Sequence, residues 1–296
     1  MKSINPFERS EFIPEFTDYA ALQGSAVGMT GARGMLGRLL RARLEHHGIE
    51  TAAYPGNVNN LDELASWFAS LRLRHFFHFA ALVPVVAVEA DPLLAFQTNV
   101  IGTFNVCQQL LKTQPGCWLF HCSSSHVYQP TPTSLPIQED APKNPPTFYG
   151  TTKLLAERVV DTLMSKLRAP YCVGRVFSYT HVDQAPPYLV PNLRQKISAL
   201  RDGAALDITN AASVRDIQDA EQVIDTILHL AQRTATGTVN IGTGVGQSVG
   251  EIALLVARSL GKQIQVTGRQ SGPPESLIAD TKRLRLLLAP PGLHSV

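Results

Sequence analysis

Apolar residues in this chain fall by turns into short unbroken runs and longer stretches with three-to-four-residue spacing. Ser25-Ala26-Val27-Gly28-Met29-Thr30 is a short apolar run, and after a glycine turn Leu36, Leu39, Leu40 and Leu44 recur at helical spacing up to Gly48, a natural helix stop. Glu50 to Tyr54 reads as a second strand, and Asn60 caps a helix carrying Leu61, Leu64, Ala65, Phe68 and Leu71. His75 to Ala81 is nearly all apolar, the signature of a strand covered on both faces of a parallel sheet. Asp91-Pro92 opens a helix through Asn99, Thr103, Val106 and Leu110, and Trp118 to Cys122 is the fourth strand. A helix bearing Tyr149 and Lys153 continues through Leu154, Leu155, Arg158, Val159 and Leu163, and Tyr171 to Phe177 is the next buried strand. Between them, Gln129 to Pro146 carries prolines at 130, 132, 136, 142, 145 and 146, which exclude helix and central strand and predict an irregular excursion over the site.

Beyond Tyr179 the alternation loosens. Ala185-Pro186-Pro187 is linker-like, Pro191 to Leu200 a helix, Ala205 to Thr209 a short strand, and Val214 to Ile217 follows a turn. A helix at Ala220 to Ala231 and a strand at Val239 to Gly242 are expected to return to the first lobe. Ser248 caps a helix to Leu260, and Ile264 to Val266 and a helix from Asp280 close the pattern. The predicted fold is α/β, a doubly wound Rossmann-type parallel sheet with a smaller, interleaved C-terminal substrate lobe. The expected divisions are an extension at 1–24, a dinucleotide-binding domain at 25–180, and a mainly substrate-binding lobe at 181–296 that lends part of 210–245 back. The extension mixes charge, proline and aromatics without an apolar secretory core; it either wraps the domain or stays loose.

Composition narrows the function classes. With 296 residues, 44% apolar, 17% charged and a net charge of +2, the chain is an ordinary globular enzyme in make-up, with no call for nucleic acid or an anionic membrane. No apolar run approaches a membrane span. Cys107, Cys117, Cys122 and Cys172 lack CxxC spacing and sit in apolar runs, so buried free thiols and a cytoplasmic location are expected. The nine histidines form neither HxxxH nor HExxH, giving no support for a metal site, and His75 and His78 read as structural.

The chemistry gathers at Thr147-Phe148-Tyr149-Gly150-Thr151-Thr152-Lys153 and the serine run Ser123-Ser124-Ser125. Tyr149 and Lys153 lie one helical turn apart on one face, so the ammonium can draw the phenol's pKa down towards neutrality. A serine hydroxyl nearby can hold a carbonyl oxygen while the phenol gives or takes its proton. Such a site interconverts alcohol and ketone and needs a hydride carrier. Thr30-Gly31-Ala32-Arg33-Gly34-Met35-Leu36-Gly37 supplies one: a strand leads through glycines into a helix N-terminus, where free N–H groups favour a pyrophosphate. An acid ending the second strand would bond a ribose 2′-hydroxyl and favour NAD. The strand ends Ala53-Tyr54-Pro55-Gly56 instead, and Arg33 can face a 2′-phosphate, so NADP is favoured over NAD.

These motifs, with Ala80-Ala81, Asn99-Val100-x-Gly102-Thr103, Ser123 to Tyr128, Asn240-Ile241-Gly242-Thr243-Gly244 and Ser248-Val249-x-Glu251-Ile252, resemble the extended short-chain dehydrogenase/reductase family over roughly residues 25–285. The resemblance implies a Ser124/Tyr149/Lys153 catalytic set, with Tyr149 as acid/base and Lys153 holding the nicotinamide ribose and depressing the phenol's pKa. It implies cofactor contacts at Gly31, Arg33, Gly34, Met35, Leu36, Gly37, Ala80, Ala81 and Asn99. Substrate contacts are expected at Ser124, Ser125, His126, Ser178 and Asn192, with Arg215 gripping a nucleotide-sugar diphosphate and Arg269 as a second such residue. A homodimer through the helices bearing Asn99 and Tyr149 is implied as well.

Departures from the family pattern refine the expectation. Ser178 and Gln129 replace a common Asn and Gly, and the ending Ala289-Pro290-Pro291-Gly292 lacks the usual Gly-Trp-x-Pro. His126 follows Ser125 where sugar 4,6-dehydratases carry an Asp-Glu pair, so elimination lacks its acid and base. The short second-strand region and Val190-Pro191-Asn192-Leu193 are similar to reductases of 4-keto-6-deoxy nucleotide-sugars. The expected activity is NADPH-dependent reduction of such a keto group. The rivals are a nucleotide-sugar 4-epimerase that keeps its NAD, a reductase of a small non-sugar ketone, and a non-catalytic NADP-sensing regulator.

Overall fold

The computed structural model describes residues 7, 10–24, 26–132 and 134–289. Ser25 at the first predicted strand, residues 1–6 and 8–9 of the extension, and Pro290 to Gly292 lie outside them.

Strand β1 (Ala26–Thr30) is buried throughout and turns at Gly31 into α1 (Met35–His46). Then come β2 (Thr51–Ala53), α2 (Leu61–Ala69) capped by the Asn60 side chain, and β3 (Leu73–His78). The predicted helix from Asp91 is preceded by a short α3 (Val85–Ala90). It runs as α4 (Pro92–Phe96), a π-helical turn at Gln97–Ile101, and α5 (Gly102–Thr113). β4 (Trp118–Ser124), α6 (Phe148–Lys166), β5 (Tyr171–Val176) and β6 (Ser178–Thr180) follow. The remainder is α7 (Leu189–Ala199), β7 (Ala205–Asp207), β8 (Val214–Arg215), β9 (Ile217–Asp219), α8 (Ala220–Gln232), β10 (Gly237–Ile241), β11 (Gln247–Ser248), α9 (Val249–Ser259), β12 (Gln265–Thr267), β13 (Ser276–Leu277) and α10 (Lys282–Leu288).

Six parallel strands form the central sheet in the order β10-β5-β4-β3-β1-β2, so the expected doubly wound α/β fold is the observed one. Successive strand residues feed opposite faces. Phe77, Trp118 and Phe120 pack with Leu40, Leu44, Val223 and Ile227 of α1 and α8, whereas Phe76, Leu119 and Val173 pack with Leu64, Phe68, Leu110, Val160 and Met164 of α2, α5 and α6. The chain winds first from β1 to β2 and then back across β1 to β3, and the crevice at that reversal is where ligands sit in open α/β sheets. β10 joins the central sheet from late in the chain, as its apolar pattern predicts. The smaller pairs β6·β9, β7·β12 and the triplet β11·β8·β13 stand beside it, with α7 packed on α9 through Leu193, Ile197, Ile252 and Val256.

Two expectations change. The proline-rich stretch does not cross the site: none of its residues borders the main cavity. It bridges to the C-terminal strands instead, Thr131 pairing with Ser276 and Ile137 with Ala279, with Ile137 buried against Tyr128, Phe177 and Leu277. The extension, left open between two states, wraps. Ile13, Phe16, Tyr19 and Leu22 are buried in the core of α1 and α8, and Phe7 enters the core formed by α7 and α9.

All four cysteines are free; three are buried and Cys122 is half-buried. His78 is buried with Nδ1 on Thr30 Oγ1 at 2.6 Å and Nε2 on Thr103 Oγ1 at 2.9 Å, the structural role expected of it. Its neighbour across the strand pair, His121, is equally buried, yet among the described residues neither ring nitrogen has a hydrogen-bond partner. Burial, then the charge of Lys153, pushes the His78 pKa down to about 3, and the same causes hold His121 well below the ordinary histidine value. Both rings therefore take up protons near pH 6.5 when unfolded but stay neutral when folded. Their contribution to stability is complete above that pH and is lost as pH falls towards 3. The melting temperature is expected to fall between pH 7 and pH 4. His121→Phe, which keeps the shape and removes two unpaired polar atoms, is expected to gain about 1–3 kcal/mol and to flatten that fall. A His121→Phe protein that melts lower than wild type at pH 7 overturns this account of the site.

Candidate active site

A cavity of 1020 Å³ lies at the carboxyl ends of the sheet strands. Its floor begins at the glycine turn. Gly31 has φ of +73°, and a Cβ there would lie 2.5 Å from the backbone N of Ala80; one on Gly37 would collide with the Gly31 carbonyl. Chain packing thus demands those two glycines. Gly34 differs: a Cβ there would meet only the Gly31 carbonyl, at 3.3 Å. It is the N-cap of α1, contributes no side-chain cap, and leaves the first N–H groups of the helix facing the cavity with Met35, Leu36 and Gly37 at its wall. An open cradle of unpaired N–H groups at a 12-residue helix fits a dinucleotide diphosphate.

Cations line this space without a single carboxylate among the described residues. Arg33 and Arg41 stand towards the end formed by Ala53, Tyr54, Pro55, Gly56 and Asn57, Lys153 lies near the serines, and Arg215 lies on the side of β8. Arg33 is exposed at the rim; Arg41 is held by Glu45 at 2.7 Å. Arg215 is steadied by the Val214 and Glu275 carbonyls at 2.8 and 3.2 Å, and burial lowers its pKa. Two anionic ligands, one against each end, match such a lining.

The serine run is delivered by β4, whose last residue, Ser124, caps the single 3₁₀ turn Ser125–Val127 by accepting from the His126 backbone N–H at 3.2 Å. The hydroxyl proton of Ser124 goes to the Tyr149 oxygen, the direction in which that bond lowers the phenol's pKa. Opposite, Thr147 caps α6 and sets Tyr149 in its first turn. Gly150 lets the helix lie directly against the His126 carbonyl, which a Cβ would strike. Tyr149 hydrogen-bonds Ser124, and its ring stands edge-on to that of His126 with centroids 5.4 Å apart. Ser124, Tyr149 and Lys153 thus converge, as the sequence predicts.

Their electrostatics differ from expectation. Burial pushes the Tyr149 phenol up, and the bond from Ser124 only partly offsets it. Lys153 is buried, its pKa lowered by that burial, and its Nζ donates to the Cys122 carbonyl at 2.6 Å rather than reaching the phenol. The predicted depression of Tyr149 by Lys153 is therefore not a property of this arrangement: desolvation dominates and the ammonium is aimed at a backbone oxygen.

The cavity also takes in Gly31, Arg33, Gly34, Ala80, Ala81, Ser125, His126, Ser178 and Arg215 as predicted. Asn99, Asn192 and Arg269 do not line it. Asn99 binds the Leu82 N–H and carbonyl and the Thr152 hydroxyl, tying the loop after β3 to α6; Asn192 sits on α7, and Arg269 on an exposed loop. Sequence reasoning missed Cys122, Arg41, Tyr179, Gln184 and Tyr188 in the lining. Gln184 lies on a loop clipped to α1 by Arg38 and Asp183 at 3.5 Å, and its buried Oε1 has no partner among the described residues. Only the proline pair marks that loop in the sequence.

Beneath the serines lies a buried polar network. Glu157, one turn beyond Lys153, accepts from Ser123 Oγ and pairs with Arg175 of β5 at 2.7 Å, and Arg175 also reaches Tyr128 Oη and the Glu139 carbonyl, each at 2.7 Å. Tyr128 Oη in turn donates to Asn240 of β10.

The family described as GDP-mannose 4,6 dehydratase matches residues 30–284 of this chain. A UDP-glucose 4-epimerase of Lactobacillus helveticus is 28% identical over 255 residues, covering 79% of this chain and 77% of that protein. Among solved structures, RMD of Pseudomonas aeruginosa complexed with NADPH superposes with a TM-score of 0.79 at 22% identity, over 90% of this chain and 92% of that one. A Thermus thermophilus UDP-glucose 4-epimerase complexed with NAD gives 0.76 at 21% identity, over 88% and 92%.

Removing one partner of the buried pair leaves the other charge stranded. Glu157→Ala is expected to cost about 3–5 kcal/mol in urea denaturation, and the double replacement Glu157→Met with Arg175→Leu considerably less. Equal losses in the single and double variants would mean that packing, not charge pairing, dominates there.

Proposed function

We propose that this chain, which belongs to the GDP-mannose 4,6 dehydratase family within the NAD(P)-dependent epimerase/dehydratase branch of the short-chain dehydrogenases/reductases, reduces a keto group on a nucleotide-activated 4-keto-6-deoxy sugar using NADPH. At the coarser level it is an NAD(P)-dependent nucleotide-sugar enzyme. The observation that carries the finer reading is the meeting of Ser124, Tyr149 and Lys153 beside the glycine cradle, in a cavity whose charged lining residues, among those described, are all cations.

The residues divide the work as follows. Gly34, with the α1 N-terminus, and Ala80 and Ala81 bound the cofactor's place, and Arg33 faces its 2′-phosphate. NADPH supplies the hydride when bound. Ser124 donates to the carbonyl oxygen, and Tyr149 hands that oxygen its proton. A phenol raised by burial holds its proton until a developing alkoxide draws it off, which suits reduction. Lys153, released from the Cys122 carbonyl, has a ribose hydroxyl as its alternative partner. Arg215 meets the sugar nucleotide's diphosphate with Ser125, His126 and Ser178 nearby, so residues 181–296 serve mainly the substrate. Dehydration is disfavoured, since no carboxylate among the described residues reaches the cavity.

The relatives named as UDP-glucose 4-epimerases favour a second reading, a 4-epimerase with retained NAD. A homodimer is proposed through the α4–α5 helix that carries Asn99 and through α6, where Leu93, Ile101, Phe104 and Leu155 stand exposed. No helix among the described residues is long and apolar enough to cross a membrane. We read the chain, with its four free thiols, as cytoplasmic.

Absorbance at 340 nm is expected to fall stoichiometrically when NADPH meets a 4-keto-6-deoxy nucleotide-sugar; interconversion of a 4-hydroxy sugar with no net absorbance change identifies the epimerase instead. Tyr149→Phe is expected to lose turnover by at least a thousandfold while NADPH affinity stays within a few-fold. Undiminished turnover removes Tyr149 from its role. Titration is expected to show NADPH bound at least tenfold more tightly than NADH, and Arg33→Ala to erase most of that margin. Tighter NADH binding overturns the role of Arg33.

A further inference from the structure

Lys153 carries its charge at a depth where charge is hard to keep. The side chain is buried, Nζ makes one hydrogen bond, to the Cys122 carbonyl at 2.6 Å, and among the described residues no carboxylate is in ion-pair contact with it. Burial lowers its pKa, so an ammonium here needs an anion nearby to persist. The surrounding groups offer little. His78 of β3 and His121 of β4 are neutral rings, and the Cys122 thiol, pushed up to about 11 by burial, helps only as a thiolate above that pH. The cavity in front of Lys153 has no carboxylate in its described lining. Glu157 remains. It lies four residues further along α6, on the face that carries Lys153, and its negative charge raises the ammonium's pKa. Successive residues of β4 hold the two side chains: the Cys122 carbonyl accepts from Nζ, and Ser123 Oγ donates to Glu157 Oε1.

We propose that Glu157 is a positioning residue of the cofactor site, the buried counter-charge that keeps Lys153 an ammonium and so keeps it ready for a ribose hydroxyl of the dinucleotide. The proposal rests on the reading of the cavity as a nicotinamide-dinucleotide site. A neutral amine still donates to a hydroxyl oxygen, but without the charge that strengthens the bond. Arg175 plays the opposite part. It takes the carboxylate from the β5 side, through Nε at 2.9 Å and Nη2 at 2.7 Å, and is itself steadied by Tyr128 Oη and the Glu139 carbonyl. Two cations thus share one anion, and Lys153, which does not touch it, is the one whose proton depends on the balance. Neutralising Glu157 and neutralising Arg175 break the same ion pair, yet they push the Lys153 equilibrium in opposite directions. A role limited to seating α6 would make the two replacements act alike.

The test follows NADPH binding by the full chain between pH 7 and pH 10.5, read from the fluorescence of the reduced nicotinamide; NADH serves if it binds more tightly. The other cations of the described lining are arginines, and burial raises the phenols of Tyr54, Tyr149, Tyr179 and Tyr188, so Lys153 is the lining group expected to lose its charge in that range. Wild-type affinity is expected to fall about tenfold as it does so, and Lys153→Met to remove the pH dependence. Glu157→Gln, which keeps the shape and an acceptor oxygen, is expected to move the midpoint of the fall about one pH unit or more towards neutrality, while Arg175→Met leaves it in place or moves it up. If Glu157→Gln does not fold, the double replacement Glu157→Gln with Arg175→Met takes its place, with a smaller shift in the same direction expected. An unmoved midpoint overturns the proposal, and so does an equal downward shift in the Glu157 and Arg175 variants, which assigns the pair to seating alone. A wild-type affinity that does not change with pH, or a change that survives in Lys153→Met, overturns it too. Wild type that binds neither NADPH nor NADH at pH 7 overturns the dinucleotide reading itself, and the proposal with it.

Discussion

Everything that meets in the cavity depends on how α6 is seated on the central sheet, and a buried ion pair governs that seating. Arg175 rises from β5 into the underside of α6, where Glu157 receives it with two oxygens. Ser123 of β4 binds the same carboxylate, and Tyr128 carries the network on to Asn240 of β10. Three neighbouring strands and one helix are thereby fixed in mutual register by groups that cannot be left unpaired at such depth. One turn back along α6 is Lys153, and one turn further is Tyr149. Gly150 completes the constraint from above by removing the side chain that would hold helix and turn apart.

With that frame fixed, the site's electrical character follows from desolvation more than from pairing. A cavity whose charged lining among the described residues is arginines and a lysine is a good place for phosphates, while burial rather than that charge keeps Tyr149 in its phenol form. Tyr149 keeps its proton, Lys153 leans on a carbonyl, and His126 stays neutral.

Much of this was legible beforehand because it is local. A glycine turn between a buried run and an amphipathic stretch, a capped helix with a phenol and an amine four residues apart, and an apolar strand ending in serines each announce themselves within about ten residues. What stayed hidden depends on distant partners. The proline-rich stretch signals irregularity but not which way it leans; Ile137, pairing with Ala279, and Glu139, accepting from the Asn240 N–H of β10, turn it towards the later part of the chain. Asn99 sits in a motif that reads as functional, yet its amide is consumed by a loop seventeen residues before it. Gln184 and Tyr188 border the cavity from the loop after β6, whose sequence carries only prolines as a sign, and Tyr179 from β6 itself. The direction of the Lys153 ammonium depends on a backbone oxygen thirty-one residues away, which no spacing rule foresees.

The wrapped N-terminal segment has a consequence in time rather than in space. α8 is buried on nearly every side because the sheet covers one face and Ile13, Phe16, Tyr19 and Leu22 cover another. Phe16 N–H binds Asp225, 209 residues away, and Gln222 binds the Ser10 carbonyl across 212. A ribosome supplies the first of these surfaces long before the second. At roughly 5–20 residues per second, the apolar segment waits on the order of ten to forty seconds for the helix it must cover. β1 and β3 can pair early, but the edge that β10 will occupy and the face that α8 will fill remain open for the same interval. The nascent chain is thus committed to a long period with Ile13, Phe16, Tyr19 and Leu22 unsheltered, and their escape from aggregation during synthesis is a requirement of this fold as real as any contact in the finished protein.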